Sequence, residues 1–244
     1  MISLLLSCLC RWWRAPRGVA VALALLAVLA GAPGPAGAAD PARITTNTQV
    51  LDLWPHVRLL GGPQAEGSLA QVIARDADFQ APTGPHANLG IRRDTVWLRV
   101  ALALDRDAPD RWLFDVNYPA LDRLDVHLLR DGRVIRRVQL GDALVVADRP
   151  MVARSHVVEL PLEPGARYEL LIRVRTTSSM IVPISLSTPA AFLAREARAE
   201  AFQGVLAGIG LCLLVYSLTL WIVLRDAAFG CYATIVAGVT LFFL

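Results

Sequence analysis

The chain has 244 residues, more than half of them apolar, and its 24 basic residues are all arginine, against 21 acidic ones. The formal net charge of +3 comes from outside the water-facing stretch, because residues 39–203 hold 20 Arg and 20 Asp plus Glu. A nucleic-acid-binding module would carry a basic excess or stripe, so the composition excludes that class. Arginine without lysine, in a chain rich in Ala, Leu, Gly and Pro, is the coding bias of a GC-rich bacterial genome and does not bear on function. Cysteine occurs only at positions 8, 10, 212 and 231. Residues 39–203 therefore have neither a disulfide nor a cysteine nucleophile, and at that length they bury a core without either.

At the amino terminus, Arg11, Arg14 and Arg17 precede a short apolar run from Gly18 to Ala30. Pro33 and Pro35 then break any helix, and Ala36-Gly37-Ala38 fits a small-residue cleavage site. This is the pattern of a secretory signal peptide over residues 1–38, cut after Ala38. An uncleaved anchor helix is the other reading. Both place the following residues outside the cytoplasm. Cys8 has no apolar run before it, so it is not a lipoprotein cysteine.

Residues 39–188 read as mostly strand. Val96, Leu98, Val100, Leu102 and Leu104 alternate with Trp97, Arg99, Ala101 and Ala103, a period of two. Trp112, Phe114 and Val116 alternate next, then Leu124, Val126 and Leu128, before the hairpin signal Asp131-Gly132. Val134 to Leu140 returns. Val157 to Leu160 and Tyr168 to Val174 follow, separated by Glu163-Pro164-Gly165, and Met180 to Leu186 closes the set as one strand. Short strands with turn signals between them predict a mainly β, jelly-roll-like sandwich. The Gly- and Pro-rich region 61–90 predicts loops, with one helical turn over Ser68 to Ala74.

Residues 189–203 read as a polar linker helix starting at Pro189. It runs without a breaker into Gly204–Leu224, 21 residues without a formal charge. At 1.5 Å per residue that run spans a hydrocarbon core of about 30 Å. Arg225 and Asp226 separate it from a second apolar run over residues 227–244, which is still apolar at Leu244. The expectation is the front part of a polytopic membrane protein, with this second helix truncated and the output end lying further on. Trp221, near Arg225, fits an interfacial position at the cytoplasmic end. Gly204-x-x-x-Gly208 reads either as a close-packing face for a homodimer through the membrane helices or as ordinary membrane-helix glycine.

The chemistry of an enzyme is not visible in this pattern. His56, His86, His127 and His156 are scattered without metal-ligand spacing, and there is no Gly-x-Ser-x-Gly elbow. Asp122 and Asp125, three apart, point to opposite faces of a strand and read as solvated residues rather than an acid–base pair. His127 reads as an outer-face residue. No catalytic, cofactor-binding or metal-binding residue is assigned, no cofactor is expected, and ligand-contacting residues are not identified.

The stretch from Asn88 to Arg99 resembles a known pattern. So do Trp112 through Val126 with Asn117-Tyr118-Pro119-Ala120-Leu121-Asp122, then Gly141-Asp142, Asp148-Arg149-Pro150 and Leu171 to Val174. Together they resemble the type 2 extracellular module of the bacterial seven-transmembrane receptors with diverse intracellular signalling modules. Gly204 through Tyr216, the Arg225-Asp226 break and Tyr232 resemble the first two of that family's seven helices. The resemblance implies a non-enzymatic sensor in the bacterial inner membrane. Its sandwich would lie in the periplasm and bind a small ligand, with carbohydrate as the class implied. The partners are then that ligand and the lipid bilayer, with no nucleic acid, and a histidine kinase or diguanylate cyclase would follow the helices. The competing readings are a membrane-tethered envelope carbohydrate-active enzyme and a scaffold module.

Overall fold

The computed structural model describes residues 40–243, so the arginine-rich leader and its cleavage point lie outside the described residues. Two sheets carry the water-facing part. The larger has β5 (Val96–Leu104), β10 (Arg167–Arg175), β7 (Arg123–Arg130) and β8 (Arg133–Leu140) side by side, with β1 (Ala42–Ile44) and β3 (Val57–Leu60) on the far edge of β5. The smaller runs β2 (Val50–Asp52), β12 (Ile184–Ser187), β6 (Arg111–Val116), β9 (His156–Pro161). A separate ribbon pairs β4 (Asn88–Ile91) with β11 (Ser179–Ile181).

The period-two pattern decides which side each sheet turns inward. Leu98 sits opposite Ile172, and Ile172 opposite Val126, so the apolar sets of β5, β10 and β7 share one face. They form a single buried cluster with Trp112, Phe114 and Val116 of β6, Val158 and Leu160 of β9, and Ile184 and Leu186 of β12. The two sheets therefore pack face to face through alternate residues.

Turns fall where the sequence allows a left-handed backbone. Asp131 and Gly132 both have positive φ, 50° and 73°, as a two-residue hairpin of this kind requires. Gly141 has φ 132° and lies so close to the Asp122 carbonyl and the Arg123 backbone that a Cβ has no room there. Met180 to Leu186 is not one strand. Pro183 cannot donate to a ladder, so the stretch divides into β11 and β12.

The helical turn in the Gly-rich region is α1 (Leu69–Ala74), closed by a reciprocal capping box between Ser68 and Gln71. The chain then leaves the sandwich through α2 (Pro189–Leu224). Thr188 caps it by accepting from the Ala191 amide at 3.3 Å, and Pro189 opens its first turn. At 36 residues α2 is about 54 Å long, and no break marks the linker from the apolar run. Residues 189–224 are long and apolar enough to cross a membrane, and most large apolar side chains from Val205 to Leu224 point outward without protein over them. Arg225, with φ 50°, ends α2, and α3 (Ala227–Phe243) folds back against it. The close approach of this hairpin falls at Gly210 against Thr240 and at Gly230 against Trp221. Around Gly204 and Gly208 the space beside the backbone is open within this chain.

Candidate functional site: the joint between sandwich and helix

The outer face of the four-stranded sheet is set by the same alternation as the core. On β6, Trp112, Phe114 and Val116 point inward, so Leu113 and Asp115 point outward. Register places Val157 and Ser185 on either side of Asp115, and Ser187 beside Leu113. The first turns of α2 lie on this face. Phe192 buries its ring in a small cluster with Leu113 and Val157, and Met151 and Ala153 of the 141–155 loop pack against it.

One helical turn on, Arg195 reaches down to the sheet. Its Nη2 donates to Oδ2 of Asp115 at 2.6 Å, while the guanidinium lies 5.0 Å over the Phe192 ring. Asp115 is completely buried, whereas the Arg195 side chain is 37% exposed. The second carboxylate oxygen of Asp115 has no hydrogen-bond partner, and the buried hydroxyls of Ser155 and Ser187 have none either. A desolvated carboxylate held on one oxygen by one arginine is tied to that arginine, because losing the partner leaves a buried charge. The joint is thus an apolar anchor at Phe192 beside a charged pin at Arg195, with under-satisfied polar atoms in the surrounding face. It holds the first turns of α2 against the four-stranded sheet.

His156 starts β9 at the same end of the sandwich. Its Nε2–H donates to the Pro119 carbonyl at 3.1 Å. Burial holds its pKa below the ordinary value, and nearby Arg149 adds to that.

The residues weighed from the sequence fall elsewhere. His127 is on the outer face of the six-stranded sheet, as expected, yet it is buried there, 5.8 Å from the Trp97 ring. The reason is a second apolar cluster: Ala65, Val72 and Phe79 lie over Leu60, Trp97, Leu129 and Leu171 and roof that face. Trp97 donates its Nε1–H to the Ala65 carbonyl at 2.9 Å, which fixes the roof in place. Asp122 and Asp125 are not solvated strand residues. Asp122 precedes β7 and accepts from the Thr177 amide at 2.7 Å and its hydroxyl at 2.8 Å, tying down the 176–178 turn. Asp125 is buried beside Arg123 at 3.7 Å. His56 is used on a backbone carbonyl, that of Asp40, at 2.8 Å. Among the described residues, no three His, Cys, Asp or Glu side chains converge as a metal site would need.

Sequence reasoning passed over Asp115. The available signal was an acid in a strand whose other residues are nearly all apolar, and strand periodicity alone does not say that a helix from 80 residues further on covers it.

Comparison with known proteins bears on identity. No curated protein matches this chain. Among solved structures it is similar to a Ruminococcus gnavus β-glucuronidase, at 9% identity and TM-score 0.37, covering 61% of this chain and 30% of that one. A Faecalibacterium prausnitzii β-glucuronidase gives 16% identity and TM-score 0.33, covering 53% of this chain and 22% of that one. TmCBM61 in complex with β-1,4-galactotriose gives 11% and 0.27, covering 54% and 82%. At these values the likeness carries nothing about what this chain binds, and the chain spans less than a third of the length of either glucuronidase. The family described as 7TMR-DISM extracellular 2, by contrast, matches residues 55–188, more than half of the chain and nearly the whole sandwich. With an outward sensory module joined to an apolar helix of membrane-spanning length, the chain belongs to the 7TMR-DISM extracellular 2 family of membrane receptors.

Proposed function

We propose that residues 39–188 form the periplasmic sensing head of a bacterial inner-membrane receptor and that residues 1–38 are its cleaved signal peptide. In this reading residues 189–203 are the linker helix, and 204–224 and 227–244 are the first two membrane helices. The head binds a small polar ligand and changes how α2 is held. The change passes through the remaining helices to a cytoplasmic output domain outside this chain. The observation that carries the reading is the Asp115–Arg195 contact, with Phe192 beside it, on a helix that runs unbroken from sandwich to apolar span. A ligand shifts such a joint only by its difference in affinity for the two states. Carbohydrate remains the class implied by family resemblance. Among the described residues of the sandwich, every Trp and Phe ring is buried and Tyr118 is half-buried. Recognition would therefore rest on polar groups more than on ring stacking.

The test is a flexible Gly-Ser spacer placed after Gln203 in the full-length gene. Output should lose its dependence on ligand while ligand affinity stays as it was. Normal ligand-driven output through the spacer would show that the continuous helix is not the link.

A further inference from the structure

With residues 204–224 as a membrane span, chain direction sets which end of the sandwich faces the bilayer. One end holds the connections that follow β6, β8 and β10, at residues 117–122, 141–155 and 176–178. The opposite end holds the β5–β6, β7–β8 and β9–β10 connections, together with Thr188, where α2 begins. From there α2 lies along the outer face of the four-stranded sheet. Phe192 packs beside Leu113, and Arg195 reaches Asp115, further along β6. The helix thus follows the direction of β6 and leaves the sandwich past the first end. Thr188 to Ile184, which pairs with Val116 at that end, is a strand length of about 13 Å. α2 covers that height in about nine residues, and about 10 Å more brings it to Gly204 and the apolar run. The polar layer of a bilayer is about 5–8 Å deep on each side, so loops projecting from this end fall within reach of the lipid headgroups.

Exposed apolar side chains are distributed to match. Among the described residues of the sandwich, the large apolar side chains most open to water are Val152 at 86%, Ile91 at 81% and Val145 at 68%. Val145 and Val152 belong to the 141–155 loop, and Ile91 lies opposite Ser179, just past the end of β10. The amides of Asp142 and Ala143 donate to the Leu121 and Asp122 carbonyls at 2.9 and 3.2 Å. Those bonds pin the root of the loop at this end. Apolar groups left in water contribute nothing to the fold, and their gathering at one end of a domain marks a contact surface.

We propose that this end of the head rests on the chain's own bilayer, with Val145 of the 141–155 loop and Ile91 of the β4–β11 ribbon seated among the lipid headgroups. Apolar side chains placed at that depth leave water without crossing the hydrocarbon core. The contact bears on the joint. Met151 and Ala153 of the same loop pack on the cluster that holds Phe192, so the loop is gripped by α2 on one side and by lipid on the other. It braces the head against the membrane and limits its tilting about α2. The proposal rests on the reading of residues 204–224 as a membrane span.

The experiment is quenching of a fluorescent thiol label on the full chain in nanodiscs of phosphatidylethanolamine and phosphatidylglycerol. The lipid carries a nitroxide either on the headgroup or deep on the acyl chain, and each sample keeps a single cysteine. Val145→Cys and Ile91→Cys, both at exposed positions, should be quenched by the headgroup nitroxide about threefold more than Ile135→Cys, an exposed position near the opposite end of the sandwich. Native Cys212, near the middle of residues 204–224, should be quenched by the acyl-chain nitroxide. Quenching of Val145→Cys no greater than that of Ile135→Cys overturns the proposal. A blue-shifted label at Val145→Cys that neither nitroxide reaches overturns it too, because a second copy of the chain would then cover the loop. If Cys212 escapes the acyl-chain nitroxide, the span reading fails and the proposal falls with it. If Cys212 is quenched and Val145→Cys is not, the lipid contact alone fails and the span stands.

Discussion

On the outer face of the six-stranded sheet the cover is apolar, with Ala65, Val72 and Phe79 over Trp97, Leu129 and Leu171 and one indole hydrogen bond to fix their position. On the outer face of the four-stranded sheet the cover is α2, held by Phe192 and by the pin from Arg195 to a fully buried Asp115. Both covers bury a sheet face, but they respond differently to disturbance. Apolar burial is non-directional and tolerates small shifts, so the first cover behaves as a fixed roof. A buried carboxylate is directional and costly to strand, so the second cover favours a particular helix position. The contrast makes one face a rigid cover and the other, on the proposed receptor reading, the place where a change would pass to α2.

Removing the roof's anchor should have the largest effect. Trp97→Ala takes away a buried ring and its hydrogen bond, and should cost about 3–5 kcal/mol of sandwich stability. Thermal unfolding followed by far-ultraviolet circular dichroism measures it. A cost under about 1 kcal/mol would mean that the roof adds little.

Arg195→Ala should cost less, about 2–3 kcal/mol, because more than a third of its side chain is open to water that can reach the stranded carboxylate. Adding Asp115→Asn should recover part of that loss, since the buried charge goes with it. A double-mutant cycle showing strict additivity would remove the pin from the account.

Acid should have the smallest effect and should touch both faces. Burial, more than any other cause, holds His127 under the roof and His156 near the joint below the ordinary value of 6.5. As pH falls through about 6.5 the unfolded chain takes up protons that the folded one does not, so stability is complete above that value and declines below it. The melting temperature should drop between about pH 7 and pH 5, and His127→Gln/His156→Gln should flatten the drop. An equally steep drop in that double variant would assign the dependence to other groups.

Much of the sandwich was legible because strand periodicity and turn chemistry are local. Val96 to Leu104 alternates by residue type alone, and Asp131-Gly132 suits its turn by backbone preference alone. The same local logic placed His127 on the outer face, where it lies, but says nothing of its burial, and it read Asp125 as solvated although it is buried. His127 is dry because residues some 50 to 60 positions earlier fold over that face, and periodicity in one strand holds no record of a distant cover. Met180 to Leu186 reads as one apolar run, and the missing amide of Pro183 divides it.

The candidate site was less legible than the fold. Pro189, an alanine-rich stretch and an uncharged run are enough, by composition and helical spacing, to specify a helix continuous from linker to span. The sequence therefore determined by itself that a β module is joined to a membrane helix and that its core uses the alternate residues of β5, β6, β7 and β10. Only the tertiary structure decided that Asp115 meets Arg195, that Arg123 faces Arg175 across a ladder, and that the two helices come close at Gly210 and Gly230. The reason is that each of these is a pairing between elements. Register and packing set such distances, and they depend on every residue of both partners at once, whereas spacing along the chain records only neighbours.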